Sequence, residues 1–222
     1  MQEEFSAVVF DMDGIIFDSE RLVMDCWKVV ADKYQIHNIE EACYECLGVN
    51  RVETREKFLS RYGQDFPYDA YKGEMSGIYH DNYDGGRLPL KAGVIELLTY
   101  LKENSVKVGL ASSTHSEVVT QQLRDAGILE YFQVVIGGDM VMRSKPQPDI
   151  FLKACEELGV EPEESFAIED SYNGIRAAAA GHLRPLMVPD LMPPTEEMLE
   201  LSEAVFDTLL DVKRYLYEKT HF

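Results

Sequence analysis

Ser6-Ala-Val-Val-Phe-Asp-Met-Asp-Gly14 is the stretch on which the reading of this chain turns. Its first half is a short β-branched and aromatic run, the pattern of a buried strand. Its second half is an abrupt polar turn that delivers two carboxylates, Asp11 and Asp13, at the strand's carboxyl end. From about Asp18 to Tyr83 the pattern changes: apolar residues recur at three-to-four spacing (Leu22, Cys26, Val29, Val30), and Asn50-x-x-Glu53 has the form of a capping box, so this stretch is expected to be helical. Asn82-Tyr-Asp-Gly-Gly-Arg-Leu-Pro89 is a concentrated turn signal.

Beyond that turn, strand and helix alternate. Helices are expected at Val94–Glu103, Ser116–Asp125 (closed by Gly127), Ile150–Leu158 (ended by Gly159) and Ser171–Ala180. Strands are expected at Val106–Ala111, Val134–Ile136 and Ser165–Ile168, with shorter ones at Leu186–Val188 and Ala204–Phe206 and a terminal amphipathic helix around Leu209–Tyr217. Asp190–Glu200 reads as a loop. Strands separated by helices of this length imply an α/β fold with a mostly parallel sheet covered on both faces. A length of 222 residues allows one substantial core and a smaller appendage, since single cores commonly stop growing near ~250 residues.

Lys and Arg number 21 against 40 Asp and Glu, a formal charge of −19. Such a surface repels nucleic acid and anionic lipid, which excludes a nucleic-acid role and leaves no membrane partner in view. If the substrate is an anion, positive potential must be made locally by a metal, a buried lysine or helix N-termini. The cysteines Cys26, Cys43, Cys46 and Cys155 are too scattered for a disulfide framework, and Cys43-Tyr-Glu-Cys46 reads as helix-face packing. The acidic N-terminal segment lacks the basic and apolar runs of a signal peptide, and no apolar stretch approaches the ~18 residues of a membrane span. A cytoplasmic protein is expected.

In open parallel sheets, ligands bind beyond the carboxyl ends of the strands. Asp11 and Asp13 follow the first strand, Ser112 and Ser113 the second, Lys145 the third, and Glu169 and Asp170 the fourth. Each has an ordinary reading alone. Asp-x-Asp-Gly can be a capped turn, Lys145 a solvated loop lysine, and Glu169-Asp170 a helix cap. Thr114 with Glu117 offers a capping box for the next helix, which would leave Ser112 to face the rim. What the ordinary readings leave unexplained is the convergence of four strand ends on one kind of group. Carboxylates Asp11, Asp13 and Asp170, with Glu169 behind them, suit a hard, oxygen-loving cation, Mg²⁺. One carboxylate of the Asp-x-Asp pair can then attack while the other handles a proton.

Asp11-Met-Asp-Gly14, the apolar strand ending in Ser112, Lys145-Pro-Gln-Pro-Asp-Ile-Phe151 and Ile168-Glu-Asp-Ser-Tyr-Asn-Gly-Ile175 resemble, in order and spacing, the four motifs of the haloacid dehalogenase superfamily. The nearest subgroup holds β-phosphoglucomutases, phosphoglycolate phosphatases and related sugar-phosphate phosphatases. The resemblance implies a Rossmann-like core (residues 1–17 and 84–222) with an all-helical cap domain inserted at 18–83. It implies Asp11 as nucleophile forming an aspartyl-phosphate, Asp13 as general acid/base, and Ser112, Ser113 and Lys145 as phosphate holders. It also implies Mg²⁺ on Asp11, the Asp13 backbone carbonyl and Asp170, supported by Glu169. The carboxylate at Asp13 separates this chain from the dehalogenase and phosphonatase branches.

Arg51 resembles a cap arginine that reaches substrate, though a solvated helix-start arginine fits as well; Lys72, Tyr79, His80 and His115 receive no role from the sequence. The expected activity is hydrolysis of a small phosphorylated metabolite, with no obligatory protein partner. The alternatives are a phosphosugar mutase and a non-catalytic phosphometabolite-binding protein. β-Phosphoglucomutases carry a histidine in the segment leading into the cap, and counting on from Asp18-Ser19 puts that position at Val23, whose side chain makes no hydrogen bonds.

Overall fold

Strand β1 (Ala7–Phe10) is wholly buried, and its alternate residues face opposite ways. Val8 and Phe10 enter one apolar cluster, Ala7 and Val9 another, so the strand is covered on both sides as a central parallel strand must be. The computed structural model describes residues 5–47 and 51–221, residues 220 and 221 by backbone alone. β1 is joined by β2 (Lys107–Ala111), β3 (Val134–Ile136), β4 (Ser165–Glu169), β5 (Arg184–Met187) and β6 (Ala204–Val205). The order is β3-β2-β1-β4-β5-β6, and every pairing is parallel. The chain winds outward from β1 to β3, then restarts at β4 on the other side of β1. That reversal opens a crevice between the carboxyl ends of β1 and β4, where open sheets bind ligands.

Five helices intervene between β1 and β2, and the first four stand apart from the sheet: α1 (Ser19–Tyr34), α2 (Ile39–Tyr44), α3 (Arg51–Tyr62) and α4 (Tyr68–Tyr83). They have an apolar core of their own around Trp27, Phe58, Tyr68 and Tyr71. Trp27 lies 4.9 Å, centroid to centroid, from both Phe58 and Tyr71, and the Tyr71 hydroxyl donates to the Trp27 carbonyl at 2.9 Å. Asn50, the first residue of the expected capping box, lies outside the described residues. Cys43 is buried on α2 as the packing reading expects, and all four cysteines are free.

The chain enters and leaves the helical unit side by side. Phe17 bridges Leu90, the Asp18 N–H donates to the Pro89 carbonyl at 3.1 Å, and the Lys91 N–H donates to the Ile16 carbonyl at 2.9 Å.

The remaining helices clothe the sheet: α5 (Val94–Glu103), α6 (Ser116–Asp125), α7 (Asp149–Leu158), α8 (Tyr172–Ala180), α9 (Glu196–Leu201) and α10 (Leu209–His221). Leu97, Leu98 and Leu101 of α5 and Val212 and Leu216 of α10 cover the Val8/Phe10 face; Phe151 and Ala154 of α7 and Ala177 of α8 cover the Ala7/Val9 face. Each fully buried side chain of this size contributes about 1.5–3 kcal/mol relative to exposure.

Two local expectations are corrected. Within the expected loop Asp190–Glu200 the chain forms α9, capped by the Thr195 side chain, which accepts from the Met198 N–H at 3.3 Å. The first turn of α6 has no Thr114 cap: its N-cap is His115, and the Ser116 N–H donates instead to Asp139 at 2.6 Å. Among the described residues no helix is long and apolar enough to cross a membrane.

Candidate active site

Asp11 is fixed one residue beyond β1, where its N–H continues the ladder to the Ile168 carbonyl at 2.9 Å. Met12 turns into the core, so the strand alternation aims the Asp11 and Asp13 side chains away from it and toward the crevice. Gly14 then takes a left-handed φ of +78°. A Cβ there would lie 2.3 Å from Asp170 Oδ2, so the turn has to be glycine for the β1 and β4 ends to meet.

Lys145, in the loop after β3, is 5% exposed, and its three ammonium hydrogens have three acceptors. It donates to Asp11 Oδ1 at 2.5 Å, Glu169 Oε1 at 2.6 Å and the Ala111 carbonyl at 3.0 Å. Burial pulls its ammonium down, but the charges of Asp11 and Glu169 outweigh this and the net shift is upward. Glu169 is fully buried, and its Oε2 accepts from the Asp170 N–H, the Ser171 N–H and the Ser171 hydroxyl at 3.0–3.1 Å. Gly174 makes room for it: a Cβ there would stand 1.8 Å from the Glu169 carboxyl carbon. Removing either partner from so dry an ion cluster would leave an uncompensated charge.

Asp170 is 5% exposed, and burial followed by the charge of Glu20 raises its carboxyl well above the ordinary range. Asp11 is raised by burial to about 7, against the pull of Lys145. Glu20, on the first turn of α1, is raised by burial to about 8. Oxygens of Asp11, Glu169 and Asp170 lie within 4.8 Å of one another. Oxygen-only donors crowded at a buried point, two of them held toward protonation for want of positive charge, fit a hard divalent cation.

Asp13 stands at the rim, its Oδ1 accepting from the Ser19 hydroxyl at 2.6 Å and its Oδ2 from the Thr114 hydroxyl at 3.1 Å. Ser112 is fully buried and its hydroxyl accepts the Thr114 N–H at 3.1 Å, while Ser113 is exposed and lines the cleft. Above the rim opens a cleft of about 720 Å³. Its floor includes Asp11, Asp13, Ser113, Lys145 and Asp170, and its opposite wall belongs to α1–α4. Arg51, Lys72, His80 and His115 all line it. Sequence reasoning passed over Ser19, Glu20 and Thr114, which touch the carboxylates directly. The run Asp18-Ser19-Glu20 is also an ordinary helix start, which is why it carried no signal.

A family model of haloacid dehalogenase-like hydrolases matches residues 8–188, from β1 through β5. The chain belongs to this family. Among haloacid dehalogenase-like relatives, the phosphorylated carbohydrates phosphatase of Thermotoga maritima is 31% identical over 185 residues, covering 78% of this chain and 79% of its own. The β-phosphoglucomutase of Bacillus subtilis is 31% identical over 202 residues, with coverages of 84% and 88%. A crystal structure of CbbY from Rhodobacter sphaeroides in complex with phosphate superposes with a TM-score of 0.76 at 26% identity, covering 94% of this chain and 96% of that one. Against three other curated relatives the chain spans about half of their length or less.

Proposed function

We propose that this haloacid dehalogenase-like hydrolase is a cytoplasmic, Mg²⁺-dependent phosphatase that hydrolyses a small phosphomonoester, a sugar phosphate or similar metabolite. The observation that supports it best is the bridge of Lys145 between Asp11 and Glu169 at the floor of a cleft that also exposes Asp13. Residues 18–83 act as the cap over that cleft.

Mg²⁺ would be held by the Asp11 and Asp170 side chains and the Asp13 backbone carbonyl with Glu169 in support, and it neutralises phosphoryl charge so that a carboxylate can approach. Asp11 attacks phosphorus through a carboxylate oxygen, forming a new P–O bond as the ester P–O bond breaks. Asp13 gives its proton to the departing oxygen. Water then attacks phosphorus of the aspartyl-phosphate and yields a proton to Asp13; the bond to Asp11 breaks and inorganic phosphate leaves. Lys145 and the hydroxyls of Ser112 and Ser113 hold the phosphoryl oxygens, Ser112 keeping its own proton free to donate. Arg51 reaches the substrate from the cap.

Phosphate release from p-nitrophenyl phosphate and a panel of phosphometabolites, with Mg²⁺, with Ca²⁺ and with EDTA, tests the reading. Release should vanish in EDTA and return with Mg²⁺ better than with Ca²⁺, whose looser geometry misaligns in-line attack. No Mg²⁺-dependent release from any compound would count against it. Val23 lines the cleft and offers no hydrogen bond to couple cap closure to Asp13, which favours hydrolysis over mutase chemistry. Rapid interconversion of β-glucose 1-phosphate and glucose 6-phosphate with 1,6-bisphosphate, without free phosphate, would reverse that choice.

A further inference from the structure

The carboxylates around Asp170 fall into two groups, and the reaction above uses only one. Ligand oxygens of Asp11, Glu169 and Asp170 lie within 4.8 Å of one another, and so do those of Glu20, Asp170 and Asp190. Glu20 comes from the first turn of α1, Asp170 follows β4, and Asp190 lies in the segment after β5. The second group therefore joins the cap to the core.

In a protein with a formal charge of −19, crowded acidic side chains assign nothing by themselves. Asp190 adds a separate observation. Its side chain is 9% exposed, and its Oδ1 accepts from the Lys91 ammonium at 2.5 Å. Its Oδ2 is buried with no hydrogen-bond partner. A carboxylate oxygen taken out of water without a donor is costly, and a cation beside it removes that cost. Lys91 is committed to the other oxygen. Glu20 brings no relief: the charges that act on it are those of Asp13, Asp190 and Asp11, all negative. Access is also present. Glu20 and Asp170 line both the main cleft and a second cavity of about 260 Å³, whose lining includes Glu45 and Glu53, so an ion can reach the pair without crossing the substrate's space.

We propose that Glu20, Asp170 and the unpaired oxygen of Asp190 hold a second divalent cation, Asp170 being shared with the Mg²⁺ of the phosphatase reading, on which the first ion rests. The donors are all oxygen, which selects a hard ion. Because Glu20 belongs to the cap and the other two to the core, the ion ties the two units together at the point where α1 leaves the hinge, and its binding stabilises that arrangement by mass action.

The test counts ions. Mn²⁺, an oxygen-preferring divalent ion visible by electron paramagnetic resonance, is titrated into EDTA-stripped protein at submillimolar free concentration. Bound ions per chain are measured for the wild type, Glu20→Gln, Asp190→Asn and Asp11→Asn, with circular dichroism of each metal-free protein to show that the fold is kept. The wild type should bind two ions, and the Kd of one of them should rise at least about tenfold in Glu20→Gln and in Asp190→Asn. Glu20→Gln decides alone if Asp190→Asn does not fold. No bound ion in the wild type, or two ions whose Kd values Glu20→Gln leaves unchanged, overturns the site. So does a single ion unmoved by Glu20→Gln. A single ion weakened by both Glu20→Gln and Asp11→Asn is one centre on which Glu20 acts through bound water, and this also overturns the second site while the phosphatase reading stands. A single ion weakened by Glu20→Gln and not by Asp11→Asn upholds the site and removes the Asp11 centre from the phosphatase reading.

Discussion

The floor of the cleft and its cap wall handle polar groups in opposite ways. On the floor, Lys145 has an acceptor for each of its three hydrogens, and the two oxygens of Glu169 take four donors between them. On the wall, among the described residues, the Tyr68 hydroxyl has no hydrogen-bond partner and Lys72 has an aromatic ring in place of an anion. The floor is built from strand ends whose positions are dictated by sheet register, so its groups are preorganised for one chemistry whatever the substrate. The wall is built from helices packed around an aromatic cluster and leaves the Tyr68 hydroxyl and the Lys72 ammonium without a polar partner among the described residues. On the reading proposed above, the reaction belongs to the side of the cleft that satisfies its own polar groups.

The largest effect that would break this contrast is at the nucleophile. Asp11→Asn keeps size and removes charge, so phosphate release should drop by at least about a thousandfold while the melting temperature changes little. Retained turnover in the pure variant would remove Asp11 from that role. Lys145→Met should come next, because it strands two buried carboxylates; urea unfolding should show a loss of about 3–5 kcal/mol, and a loss below about 1 would mean that the floor is not held by this ion cluster.

The metal-free floor should also be sensitive to pH. Asp11 and Glu20 are raised to about 7 and about 8 in the folded chain, so near neutrality the folded state holds more protons than the unfolded one. Stability from these groups is therefore present at low pH and is lost as pH rises through those values, at up to about 1.4 kcal/mol per pH unit for each group. With EDTA the melting temperature should fall between pH 6 and 8.5, less steeply in Glu20→Gln, and the gain from Mg²⁺ should grow over the same range. Identical slopes in the two proteins would dismiss Glu20 as a contributor. The smallest effect belongs to the wall: Arg51→Ala should raise KM several-fold and leave kcat within about twofold, and an equal fall in kcat would move Arg51 from ground-state binding into the transition state.

Much of the floor was legible in the sequence because it sits where short patterns end. Strand Val134–Ile136 and helices Val94–Glu103 and Ser116–Asp125 have the expected limits, since each is bounded by turn residues. Asp11, Lys145 and Asp170 follow strands and Glu169 ends one, and they could be grouped by that fact alone. The failures are contacts at long range. Thr114 looked like a cap because its neighbours allow one, whereas its hydroxyl is used by Asp13, 101 residues away. Glu20 satisfied the local rule of an acidic first turn, and nothing near it announces Asp170. Helix α9 was hidden because Pro193 and Pro194 and a run of glutamates look like a loop until Met198 is seen buried beneath them. Lys72 and Tyr68 had no motif at all, for a helix face becomes a wall only once another element stands opposite it.

The adjacent entry and exit of the helical unit make this protein modular in the engineer's sense. Phe17 and Leu90 bridge each other, so the ends of everything between them already meet. A short turn joining Phe17 to Leu90 would delete the insertion, Ser19 and Glu20 with it, and a different helical unit with equally close ends could replace it if its first turn again supplies a hydroxyl to Asp13.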